Sequence, residues 1–133
     1  MNTMRDYQRQ KNNKYILPRD EWHRTLWTIR GYYRIKEEAE AAITGSGQSD
    51  GMPRGTDISD PTAKKAINLE RDLAIINLIE TEKSLMPEPY QTAVWNNIQH
   101  GMPYPLDAGA VRETFSRWKS KYVFRIAEGL KKI

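Results

Sequence analysis

The chain has no cysteine, which removes disulfides, thiolate zinc sites and cysteine nucleophiles together and fits a reducing cytosol. Histidine is almost as scarce. His23 and His100 are the only two, they lie in different segments, and neither has a partner at metal or triad spacing. No serine sits in a nucleophile-elbow context and no carboxylate pair stands out from surface charge. The reading is therefore of a protein that is not an enzyme and takes no cofactor. Asp50, Asp57 and Asp60 miss the spacing of a calcium loop, and Gly51-Met52-Pro53-Arg54-Gly55-Thr56 lacks the lysine and preceding strand of a phosphate-binding loop. Apolar runs are short: none approaches about 18 residues, and residues 1–10 lack the apolar segment of a signal peptide. The expectation is a soluble, cytoplasmic chain with no bound metal and no membrane partner.

What is present is charge, aromatic residues and helical periodicity. Hydrophobic residues make up 38% and charged residues 29% of the chain, and glycine and proline gather in two linkers, leaving long stretches fit for helices. At 133 residues one all-α domain with a modest core is expected. Residues 1–40 carry nine Lys/Arg against six Asp/Glu, residues 41–106 five against eight, and residues 107–133 seven against three. Basic ends flank an acidic middle, and a basic end that is also amphipathic suits a phosphate backbone.

Residues 1–17 read as a flexible basic arm, with Arg5, Arg9, Lys11 and Lys14 and little to bury beyond Tyr7. Pro18 precedes a helix whose first turn holds Asp20 and Glu21. The pattern stays helical to about Thr44, with Trp22, Leu26, Ile29 and Tyr33 in one stripe, widened by Trp27, Tyr32, Ile35, Ala39, Ala42 and Ile43. Such a stripe is read as core before it is read as a stacking platform for bases. Residues 44–60, with four glycines, three serines and Pro53, cannot hold a helix and form a flexible loop. Asp60 as cap and Pro61 at the first helical position start a helix that runs to about Ser84. Its Ala66, Leu69, Leu73, Ile76 and Ile79 favour antiparallel packing on the Trp22 helix, so residues 18–86 make a long helical hairpin. A homodimer through the same wide apolar arc is the companion expectation.

Residues 87–133 read as a helix-turn-helix-like pair. The helix from Tyr90 to Ile98 offers Ala93, Val94, Trp95 and Ile98 for burial, and Gly101 is placed where φ must turn positive. Pro103 and Pro105 then forbid helix for several residues, and Asp107 caps the next helix. In that last helix Val111, Phe115, Trp118, Tyr122, Ile126 and Leu130 recur at helical period and face a core. At about 100° per residue, Glu113, Arg117, Ser120, Lys121 and Phe124 fall on the opposite side, with Ser116 and Arg125 at its edges. Two helices joined by a corner, the second long and basic, is the geometry that puts the N-terminal half of a helix at base edges in the major groove.

Trp95-Asn96-Asn97-Ile98, the turn, and the run from Arg112 to Ala127 resemble the end of the RinA- and ArpU-type phage late transcription regulators, which are similar to the sigma-70 region-4 helix-turn-helix. Phe115-Ser116-Arg117-Trp118-Lys119 is the closest echo, and the stretch from Ser49 to Thr56 resembles a loop of small phage and prophage proteins. The resemblance covers roughly residues 49–130. It departs where a sigma-like unit has a full middle helix, because Pro103 and Pro105 leave room only for a turn or a helical stub. It implies a phage-type, sequence-specific transcriptional regulator with Arg112, Ser116, Arg117, Lys119, Ser120, Lys121 and Arg125 on double-stranded DNA. Lys131 and Lys132 add backbone charge. Two other readings stand beside it. One is a protein-binding module for host RNA polymerase or a defence protein, with Phe124 and Arg54 as partner surface. The other is a small-terminase-like packaging component that acts as a helical oligomer.

Overall fold

The computed structural model describes residues 6–11, 13–45, 61–103 and 112–133. Among the described residues five helices follow in order: α1, Arg19–Arg30; α2, Tyr32–Gly45; α3, Pro61–Ser84; α4, Glu88–His100; and α5, Arg112–Leu130. Among the described residues there is no strand, so the chain is all-α as its periodicity requires. The interior of the 44–60 loop, with Arg54, Asp50, Asp57 and Asp60, and the segment 104–111, with Pro105 and Asp107, lie outside the described residues.

The single helix expected from Pro18 to Thr44 is divided at Gly31 (φ −81°, ψ 5°). Gly31 keeps its own backbone bonds through the bend: its N–H donates to Trp27 O at 3.0 Å and Thr28 O at 3.1 Å, and its carbonyl accepts the Ile35 N–H at 2.8 Å. The buried stripe passes through it as Trp22, Leu26, Ile29, Tyr32, Ile35 and Ala39. Tyr33, expected in that stripe, is 56% exposed, and Trp27 is 70% exposed. Ile35 and Ala39, further along α2, decide between the two tyrosines. At 100° per residue they lie within about 60° of Tyr32 but roughly 120–160° from Tyr33.

α3 packs along α2, the second half of the helix expected from Pro18 to Thr44, so the hairpin is α2–α3, while α1 faces α4 and α5. α5 lies at the centre, against α1, α3 and α4. Only the second half of α3 reaches this core. Ile75 and Ile79 are buried and Ile76 and Leu78 partly so, whereas Ala66, Ile67 and Leu73, expected or available for packing, are exposed. α3 and α5 approach closely at Gly129, where a Cβ would meet Leu78 Cδ1 at 2.5 Å. α4 ends as anticipated on Gly101, in the left-handed region (φ 70°, ψ 19°), which glycine enters without a Cβ penalty.

At the α2–α4 contact Tyr32 meets Trp95 edge-on at 5.2 Å. Its hydroxyl donates to Glu80, the Trp95 indole donates to Tyr33 Oη at 3.1 Å, and Lys83 sits 4.5 Å over the Trp95 ring. Burial, with the Glu80 carboxylate beside it, pushes the Tyr32 phenol up from 10.0 to about 12. Burial likewise raises Tyr122.

This packing sets the cost of two truncations. Trp22 is 1% exposed, so Trp22→Ala should lower unfolding stability by about 3–5 kcal/mol, as for other buried Trp or Phe truncations. Trp27→Ala, at a site 70% exposed, should stay within about 0.5 kcal/mol of wild type, and urea midpoints compare the two. The phenol shift sets an alkaline limit. Below pH 10 the folded and unfolded chains both hold the Tyr32 proton; between pH 10 and about 12 the unfolded chain ionises first, so stability falls as pH rises. Tyr32→Phe should flatten that part of the stability-against-pH curve, and an unchanged slope would contradict the assignment.

Candidate nucleic-acid interface

α5 buries a wider arc than one stripe. Phe115, Tyr122 and Ile126 are inside as expected, but so are Val123 and Ala127 one residue round, and so are Lys119 and Ser120. A helix with neighbours on three sides has little bare surface, and this places two expected DNA contacts in the interior. Ser120 is 1% exposed and Lys119 5%. The Lys119 ammonium donates to Asn97 Oδ1 at 2.6 Å, and the Asn97 amide donates in turn to Met102 O at 2.9 Å. Asn97 belongs to the last turn of α4, whose negative dipole end suits a cation. Lys119 therefore fastens α5 to the end of α4, and in this arrangement neither it nor Ser120 reaches a phosphate.

The bare strip of α5 holds Glu113, Arg117 and Arg125, with Ser116, Lys121 and Phe124 half-buried along it. Arg117 pairs with Glu113 at 3.1 Å and Arg125 with Glu82 of α3 at 2.7 Å. Arg112 opens α5, its side chain lying outside the described residues, as does Arg54.

The basic arm, expected to be flexible, is built onto this strip. Gln8 clamps Leu17 with both ends of its amide: its Nε2 donates to Leu17 O at 3.0 Å and its Oε1 accepts the Leu17 N–H at 2.7 Å. The Trp22 indole donates to Asp6 O at 2.8 Å, and Arg30 pairs with the Asp6 carboxylate while its Nε donates to Ile98 O at 2.8 Å. Asn13 caps its own turn by accepting the Tyr15 N–H at 2.8 Å. Arg9 then reaches Glu113 at 3.0 Å, and the Tyr15 ring stands edge-on to Phe124 at 5.4 Å. Phe124, expected as a bare partner surface, is thus half-covered from within the chain. Lys121 lies 5.0 Å from the Trp118 ring and 5.9 Å from that of Tyr15.

The result is a composite edge. Arg117, Lys121 and Arg125 rise along α5 one turn apart, and Tyr15 joins to them an arm whose Lys11 and Lys14 are exposed. Sequence periodicity had no access to the arm's share, because polar side-chain clamps have no period; the Asn13-x-Tyr15 turn is the one local signal for it. Among the described residues no cluster of three acidic or histidine side chains could hold a metal ion, and no helix is long and apolar enough to cross a membrane. No family model, curated protein or solved structure matches the chain.

A buried role for Lys119 has a measurable signature. Asn97→Ala should destabilise the fold by about 1.5–3 kcal/mol, the range for a hydrogen bond to a charged group. Lys119→Met keeps most of the stem and removes the ammonium, and a double-mutant cycle between the two sites should show coupling. Wild-type urea midpoints for both single variants would return Lys119 to the surface.

Proposed function

We propose that the chain is a sequence-specific DNA-binding regulator of transcription that lays the composite edge of α5 and the N-terminal arm against duplex DNA. The observation that carries the reading is the row Arg117, Lys121 and Arg125 on the bare side of α5, with Lys11 and Lys14 held beside it through Tyr15. Four residues of helix rise about 6 Å, so the row forms a line of cations rather than a scatter. The Arg117–Glu113 pair is exposed on both sides, the kind that typically contributes about 0–1 kcal/mol and exchanges readily for phosphate. Arg112, Ser116 and Arg117, in the N-terminal half of α5, are the residues assigned to base edges; Lys14, Lys121 and Arg125 are assigned to the backbone. Lys119 and Ser120 leave the contact set. The transcriptional role, the host cytoplasm as its place and host RNA polymerase as a further partner come from the resemblance to the RinA- and ArpU-type regulators. The rival protein-binding reading keeps Phe124 only as a half-buried residue that stands edge-on to Tyr15.

Fluorescence anisotropy on labelled duplexes, one of mixed sequence and others from a selected pool, at two salt concentrations, tests this. Arg117→Ala should cost about 1–3 kcal/mol on the preferred sequence and relax the preference, while Lys14→Ala and Lys121→Ala should each reduce the salt slope by about 1 on every sequence. Absence of binding to any duplex at low salt would overturn the reading.

A further inference from the structure

One oxygen of Glu113 serves two arginines. Arg9 Nη2 donates to Glu113 Oε2 at 3.0 Å, and Arg117 Nη2 donates to the same atom at 3.1 Å. Among the described residues no hydrogen bond reaches Oε1. The two arginines differ in their surroundings. The Arg117 side chain is 55% exposed, that of Arg9 14%, and Arg9 Nε is buried with no hydrogen-bond partner among the described residues.

A buried donor left unpaired carries the full cost of its desolvation, and such an atom in a folded chain calls for a reason. The shape of the guanidinium supplies one. Nε–H and Nη2 lie along one edge of the planar group, a fork that matches the two oxygens of a carboxylate. Glu113 already meets that edge at Nη2, but the oxygen it uses there is shared with Arg117 on the next turn of α5. Arg117 thus holds the carboxylate in a one-bond setting on a two-bond fork.

We infer that Glu113 is a switch carboxylate that couples capture of a phosphate oxyanion at Arg117 to the seating of the N-terminal arm. A phosphate that takes Arg117 hands Glu113 whole to Arg9, where its two oxygens engage Nε and Nη2 side-on and hold the arm more tightly on α5. Burial sets the direction of the exchange. Arg117, in water, gives up little on leaving Glu113, whereas Arg9 gains a partner for an atom that has none. Coupling of this kind is reciprocal, so a seated arm favours capture of the anion. The inference rests on the reading of the α5–arm edge as a surface for phosphate, and the source is a duplex backbone or the free ion.

Removing Arg117 should reproduce the effect of phosphate with no ligand present. The Arg9 Nε–H signal in NMR spectra of the whole chain, identified by its loss in Arg9→Lys, reports the fork through its exchange with solvent. In Arg117→Ala this exchange should slow by about two- to fivefold, the factor that a surface ion pair contributes. Loss of an ordinary ion pair would leave it unchanged or speed it. Adding Arg117→Ala to Glu113→Gln should give no slowing. In the wild type a mixed-sequence duplex or inorganic phosphate should slow the same signal, and neither should do so in Glu113→Gln. Unchanged or faster Arg9 exchange in Arg117→Ala overturns the inference, whether or not DNA binds. Slowing that inorganic phosphate reproduces and the duplex does not upholds the switch and removes the DNA reading. Slowing that neither phosphate source reproduces overturns the coupling to anions.

Discussion

α5 is enclosed by α1, α3 and α4, and the way it is locked to the last of these fixes the rest of the structure. Taking an ammonium out of water is costly unless it is paired and hydrogen-bonded, and Lys119 obtains its pairing from the Asn97 side-chain carbonyl at the end of α4. Asn97 is held in place because its amide reaches back to Met102 O, which requires the chain to turn sharply after His100. That turn needs the left-handed conformation at Gly101. A backbone angle available to glycine thus sets an amide, the amide sets a cation, and the cation sets the register of α5 against α4. The apolar side chains supply the bulk of the driving force, but apolar contacts tolerate sliding, and a buried polar pair does so far less.

The N-terminal arm is a second lock of the same kind. Its backbone satisfies the Trp22 indole and its Asp6 carboxylate draws Arg30 inward, where the same guanidinium also bonds the Ile98 carbonyl. Arm, α1 and α4 therefore meet at one arginine. From there the arm runs to α5 and packs Tyr15 against Phe124, so a largely polar segment, with Leu17 its buried apolar residue, becomes part of the packed domain through side-chain clamps to backbone groups.

These two locks also separate what was legible in the residues from what was not. Helix positions were legible wherever a stop or start signal has a local cause, as at Pro61 and Gly101, and wherever apolar spacing repeats, as from Phe115 to Leu130. The faces of α5 were less so. A helical wheel divides a helix into an inside and an outside, and that division fails when three neighbours surround it: Val123 and Ala127 join the core, and Lys119 goes with them because its long apolar stem can be buried while its tip finds a polar partner. Phe124 lay on the correct face for exposure and is half-covered all the same, since the residue that packs on it, Tyr15, comes from a stretch without periodicity. Tyr32 and Tyr33 could not be told apart from the α1 side of Gly31, whereas Ile35 and Ala39 on the other side distinguish them.

On the proposed reading, the same enclosure constrains how α5 would meet a duplex. The major groove is about 12 Å wide and admits a helix that presents a clear side to the bases. α5 presents a narrow strip bounded along one margin by the arm, so a duplex that approached Arg117 and Lys121 would encounter Tyr15 and Lys14 in the same step. Arg9 is already bound to Glu113 at the N-terminal end of the strip, and Glu113 also holds Arg117. One carboxylate thus restrains both an arm residue and a helix residue. A phosphate or guanine that captured Arg117 would leave Glu113 to Arg9 alone and tighten the arm's hold on α5. In this geometry the arm and the helix form a single edge whose polar rim is held by its own ion pairs, and on the proposed reading that order would lower the entropy cost of binding nucleic acid.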